Sequence, residues 1–147
     1  MYNILQHAHS GLRWLVLLFL IMAVGNALIK WQGGKSYTAG DKRIGTIALS
    51  TVHLQFLLGL ILYFISPKVN FSGEAMKEAA SRFYLVEHLV GMLVAVALIS
   101  IGNARVKKAV DDAAKFKTTF TFFLIGLLII LIMIPWPFRE ALGGSWF

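Results

Sequence analysis

Four long apolar runs take up most of this chain, at 12–31, 44–65, 83–104 and 118–138. Each is close to the roughly 20 residues that a helix needs to cross a hydrocarbon core about 30 Å thick. Too little sequence lies between them to form a separate soluble domain. A residue run of this kind tolerates very few backbones, because an unpaired peptide group costs several kcal/mol in lipid and only helices or closed barrels pair every one. The runs show no period-2 alternation, so helices are expected, with the first extended back to about residue 4.

Composition agrees. The chain is 58% hydrophobic and 14% charged, more apolar than the surface of one soluble domain accommodates. The expected fold is all-α: one domain, 1–147, forming an integral membrane four-helix bundle with up-down-up-down connections.

A net charge of +7 can signal a nucleic-acid partner, but here the basic residues are sorted by connection. Nine flank the first and third connections (Lys30, Lys35, Lys42, Arg43, Arg105, Lys107, Lys108, Lys115 and Lys117), against five on the other side (Arg13, Lys68, Lys77, Arg82 and Arg139). Under the positive-inside bias this puts both termini outside and the two basic connections in the cytoplasm. The lipid bilayer is then the partner and nucleic acid is not. The first run has no preceding Lys or Arg and is too long for a signal-peptide core, so it is expected to stay as a span. The chain has no cysteine, which excludes disulfides, thiolate metal sites and covalent haem attachment. Trp14, Trp31, Trp136, Tyr63 and Tyr84 near the ends of the runs fit an aromatic belt.

A two-helix tandem repeat is also legible. Gly25-Asn26-Ala27-Leu28-Ile29-Lys30 recurs as Gly102-Asn103-Ala104-Arg105-Val106-Lys107, and Phe56-Leu57-Leu58-Gly59-Leu60-Ile61 echoes Phe123-Leu124-Ile125-Gly126-Leu127-Leu128. Such a repeat implies a pseudo-twofold axis along the membrane normal. Helices 1 and 3 then stand diagonally across the core. They carry His9 and His88 at similar depths, 16 residues before Gly25 and 14 before Gly102, an offset of only about 3 Å at helical rise.

Histidine inside a span marks a functional site by default. His88 shares a stripe with Gly91, Ala95 and Gly102, which leaves room beside the imidazole for a flat macrocycle, unless Gly91 and Ala95 form only a packing seam. His9 shares its face with Arg13, placed to meet an acidic cofactor group or to act as an interfacial cation. His7 points about 160° away from His9 on a helix. His53, near mid-membrane, shares with Thr46, Ser50 and Leu57 a face expected to turn inward, where Ser50 offers a hydrogen bond. Asn3 and Gln6 form a weak capping-box pattern before the first helix. Glu87 reads as the one carboxylate within a span, paired with Arg82 or His88, acting beside Gln55 on a quinone, or simply solvated, since helical rise puts it within about 8 Å of the outer interface. Helix 4 has no polar side chain past its first threonines and reads as scaffold.

Three metal readings follow: a b-type haem on His9 and His88, a copper or zinc site on His7, His9 and His88, or no metal. The blocks His7-Ala8-His9-Ser10-Gly11-Leu12-Arg13-Trp14, His53-Leu54-Gln55 with Gly59 and Tyr63 to Pro67, Arg82-Phe83 with Glu87-His88, and Ile134-Pro135-Trp136-Pro137-Phe138 together resemble a family of small four-helix bacterial membrane proteins labelled cytochrome b-like. That resemblance spans the whole chain. It implies a bacterial inner-membrane protein in or beside a respiratory electron-transfer chain. At most one haem b is expected, with His9 and His88 as ligands, Arg13 or Arg82 near its propionates, and Gly91 and His53 as further candidate contacts. The competing expectation is a cofactor-free accessory or assembly subunit docked on other membrane subunits. No nucleophile, phosphate loop or catalytic carboxylate pair points to a stand-alone enzyme.

Overall fold

A computed structural model describes residues 1–146. Its four long helices are α1 (Tyr2–Gln32), α2 (Ala39–Ile65), α3 (Ala79–Lys108) and α4 (Asp112–Met133). They form an all-α four-helix bundle. All four are long and apolar enough to cross a membrane. Outward-facing Leu18, Ile21, Leu57, Leu93 and Ile132 leave a surface that suits lipid rather than water.

The helix ends are set by local chemistry in the polar flanks. At the end of α1, Gly34 takes a positive φ of 58°, with Lys35 N–H bonded to Lys30 O and Gly34 N–H to Trp31 O. This is the Schellman pattern, and glycine supplies the left-handed step without a Cβ clash. Thr38 and Asp41 form a reciprocal capping box that starts α2, and Asp111 accepts from Ala114 N–H at 2.7 Å to start α4. Pro67 and Pro135 hold the residues before them, Ser66 and Ile134, in extended backbone and stop α2 and α4.

These caps shift the expected bounds. Helices 2, 3 and 4 begin at 39, 79 and 112 rather than 44, 83 and 118, because the first turns are polar and lie outside the apolar windows. Helix 4 stops at Met133 rather than 138 because Pro135 ends it. Helix 1 starts at Tyr2 with no side-chain cap, so Asn3 and Gln6 do not form the expected box.

α1 packs on α2 and α4, and α3 packs on α4, while the α2–α3 side is thin and α1 and α3 stand diagonally. The core runs through Val16, Leu20, Ala48, Val52, Ile99 and Phe123. α4 is more than featureless scaffold: a Cβ added at Gly126 would lie 2.5 Å from Cγ1 of the fully buried Ile99. Missing side-chain volume at Gly126 is what lets α3 and α4 approach. The repeat is not mirrored in packing, since Gly102 seats Phe122 whereas its counterpart Gly25 has open space beside it.

Opposite the termini, the first connection is clamped by Asp41, 5% exposed. Its carboxylate accepts from Lys30 Nζ and Asn26 Nδ2, both at 2.7 Å, and from Thr38 N–H at 2.8 Å. Asn26 and Lys30 of the repeated phrase thus act in closing the α1–α2 hairpin.

Candidate functional site

A cavity of about 170 Å³ lies among α1, α2 and α3 at the end of the bundle that bears both chain termini. Its floor is apolar, with Val16, Val52, Met92 and Ile130, and its upper wall carries His9, Arg13, Gln55 and His88. Three polar atoms in this wall are buried without a hydrogen-bond partner: His9 Nδ1, Arg13 Nε and Gln55 Oε1. Buried polar atoms are nearly always paired, because an unpaired one costs about 1–3 kcal/mol. Three together around one cavity mark a place built to receive polar groups.

His88 owes its orientation to the way α4 ends. The last four carbonyls of a helix have no donor of their own, and each of those in α4 finds one elsewhere. Ile130 O accepts from Ile134 N–H at 3.0 Å. Leu131 O accepts from the Trp136 indole at 2.8 Å, Ile132 O from the Arg139 guanidinium at 3.0 Å, and Met133 O from His88 Nδ1 at 2.8 Å. A carbonyl can only accept, so Nδ1 carries the proton and Nε2 of the neutral ring keeps its lone pair. Metal-ligating histidines are held in this way, with the second nitrogen donating to a carbonyl.

Just before His88, α3 widens into a π turn over Phe83–Glu87, with His88 N–H bonded to Phe83 O. Such bulges re-aim neighbouring side chains. Tyr63 of α2 donates its hydroxyl to Leu85 O at 3.1 Å and fastens this turn. The buried Phe83 ring lies 5.7 Å from the imidazole.

His9 is held differently. Gln55 Nε2 donates to its backbone carbonyl at 2.9 Å, and the ring lies against Gly59, where an added Cβ would be 2.9 Å from His9 Cε1. One turn on, Arg13 is only 8% exposed. Its Nη2 donates to Trp146 O at 2.6 Å and Ser145 O at 3.2 Å, and its guanidinium sits 5.3 Å from the Trp14 ring. Arg13 is therefore enclosed, not snorkelling to an interface.

The carbonyls that accept from Arg13 belong to a strap, residues 139–146, that crosses the cavity mouth. Lys68 Nζ donates to Gly143 O at 2.9 Å and Tyr84 Oη to Leu142 O at 2.8 Å. Gly143 has a φ of 57°, and Gly144 passes so near Pro135 that a Cβ would collide with its carbonyl. Two glycines are what let the strap lie flat against the bundle.

The remaining expected site residues lie elsewhere. Arg82 pairs with Glu87 at 2.8 Å, both side chains about two-fifths exposed, and it does not line the cavity. Glu87 is likewise absent from the cavity lining, whereas Gln55 belongs to it. Gly91 offers no open groove, because Met133 fills it: an added Cβ would lie 2.5 Å from Met133 Cγ. The small-residue stripe is a packing seam here. His53 faces outward, not inward, and bonds Ser100 of α3 at 2.9 Å rather than Ser50. His7 is exposed on the far side of α1 from His9, as its helical angle predicts. Among the described residues no three His or carboxylate side chains come close enough to hold a metal ion, so the copper or zinc site on His7, His9 and His88 is not assembled.

Sequence reasoning did not find Tyr63, the Met133 carbonyl or the strap. The two prolines after α4 were the available signal, since they announce a helix end with carbonyls to be satisfied. No family model, curated protein or solved structure matches the chain.

Proposed function

We propose that this protein is a b-type cytochrome-like membrane protein that holds a single haem between His9 and His88. One observation carries the reading: imidazoles from the two diagonal helices line the same cavity, and His88 already has the hydrogen bond that leaves Nε2 as a donor. The donor set fits a bis-histidine haem, with Arg13 at the same wall for an acidic propionate. Bound there, a haem would supply reversible one-electron transfer. The volume sets a condition. A cavity of 170 Å³ resembles the roughly 150 Å³ that accepts a benzene ring, so a macrocycle would have to enlarge the site as it binds.

The protein's own contribution is to fix one imidazole, keep water away from an apolar floor, and hold a cation at the mouth. Burial, axial ligands and nearby hydrogen bonds set the potential of such a centre. The bundle belongs in a bacterial inner membrane with both termini outside, by the asymmetry of its basic connections. Reporter fusions at Lys35 and Lys115 are expected to report the cytoplasm, and a cytoplasmic signal from the C-terminus would reverse the orientation.

A second role is favoured by the outer face of α2. Thr46, Ser50 and His53 are all exposed there, and polar groups within a span normally meet protein rather than lipid. Another membrane subunit against this face fits an accessory role beside a respiratory complex.

The histidines give the test. His9→Ala and His88→Ala should each abolish the low-spin haem spectrum, whereas His7→Ala and His53→Ala should leave it intact. Loss of that spectrum in His53→Ala alone would assign the ligand to α2 and refute the His9–His88 pair.

A further inference from the structure

We infer that the cavity, as it stands, is a binding site for a lipid-soluble phenol: one aromatic ring that carries a hydroxyl group, with an apolar tail left in the bilayer. It goes beyond the haem reading above and does not rest on it. Both occupants need the same polar wall, so at any one time they exclude each other.

Size limits the ligand to one ring. The cavity measures about 170 Å³, and one of roughly 150 Å³ lined by apolar side chains accepts benzene. Val16, Val52, Met92 and Ile130 in the floor supply the same kind of surface here. The tail has a way out. Phe56 and Leu60 of α2 and Leu89 and Val96 of α3 belong to the wall, and the seam between these two helices is the most thinly packed side of the bundle.

The polar wall then selects a hydroxyl, because the roles of its unpaired atoms are fixed. Arg13 Nε can only donate, and it is buried without a partner on a residue that is 8% exposed. Gln55 spends its Nε2 on His9 O, so its unpaired Oε1 can only accept. That bond also brings the amide to the helical turn that leads into Arg13. A donor and an acceptor therefore stand together. A hydroxyl both donates and accepts, so it answers Arg13 Nε and Gln55 Oε1 at once. A carbonyl, ether or carboxylate oxygen answers Arg13 alone and leaves Gln55 Oε1 unpaired, which a desolvated site penalises.

The test uses the purified full chain in phosphatidylcholine nanodiscs, titrated with tritiated para-hexylphenol, with uptake by empty nanodiscs subtracted. Saturable binding of close to one molecule per chain is expected. Para-hexylanisole has the same ring, oxygen and tail but no O–H, and should compete at least about tenfold more weakly. Gln55→Leu should bring the two probes to near equality, a ratio that does not depend on the variant's overall stability. Uptake no greater than by empty nanodiscs overturns the inference, and so does para-hexylanisole that competes as well as the phenol, even where the variant misfolds. Para-hexylbenzoate that competes better than the phenol would show that Arg13 selects charge and overturns it too, as does a Gln55→Leu protein that keeps the full preference. No haem takes part, so the outcome stands apart from that of the haem reading.

Discussion

Gly126→Val is expected to destabilise the bundle by about 3 kcal/mol, the upper end of the range for overpacked cores. The added Cβ alone would sit 2.5 Å from Cγ1 and 2.8 Å from Cδ1 of Ile99, and 3.4 Å from the Ala95 carbonyl. Ile99 is fully buried and β-branched, so its side chain has one comfortable rotamer in a helix and little freedom to retreat. Gly91→Val meets Met133 instead, a flexible side chain that yields more easily, and should cost about 1 kcal/mol. Thermal unfolding of both variants in the same detergent measures the order. A greater loss at Gly91 would mean that the seam beside His88, and not the α3–α4 contact at Gly126, is the tighter place.

Asp41→Ala is the second large effect. It removes the carboxylate that gathers Lys30, Asn26 and Thr38 and leaves their donors without an acceptor. Breaking a buried ion pair from one side costs 3–5 kcal/mol in full burial. Lys30 is 30% exposed and can turn to water, so about 3 kcal/mol is expected here. Asp41→Asn keeps an oxygen for the Thr38 cap and should cost less. Unfolding in detergent, together with proteolysis at the 33–38 connection, reads both variants. An Asp41→Ala protein as stable as wild type would show that the α1–α2 hairpin is held by apolar packing alone.

These two sites show what the sequence made legible. Four spans, their order and the diagonal placement of α1 and α3 follow from hydropathy and short connections, since lipid leaves the backbone so few options. The boundaries were less legible, because Thr38, Asp41 and Asp111 act from polar flanks that a hydropathy window discards. The site was legible in part. His9, Arg13 and His88 line one cavity, and the four-residue spacing of His9 and Arg13 gives those two a common face of α1. His53 turned outward because Ala48 and Val52, not Ser50, form the inner face of α2. Gly91 and Gly126 look alike in sequence for a related reason. A glycine in a helix says that something comes close, but not whether a yielding methionine or a rigid isoleucine fills the space.

The Met133 carbonyl that orients His88 lies 45 residues away in sequence and becomes available only because Pro135 ends α4. No local pattern around His88 announces it. The strap is similar, since its backbone carbonyls, rather than recognisable side chains, meet Arg13.

The central claim is that His9 and His88 hold a haem, and one measurement decides it: the reduced-minus-oxidised absorption spectrum of the purified wild-type protein, produced with ample haem, with the bound haem extracted and quantified. A low-spin b-type spectrum with close to one haem per chain is the expected result. A protein that folds and purifies intact yet shows no Soret absorbance would contradict the account and leave the bundle as a cofactor-free membrane subunit.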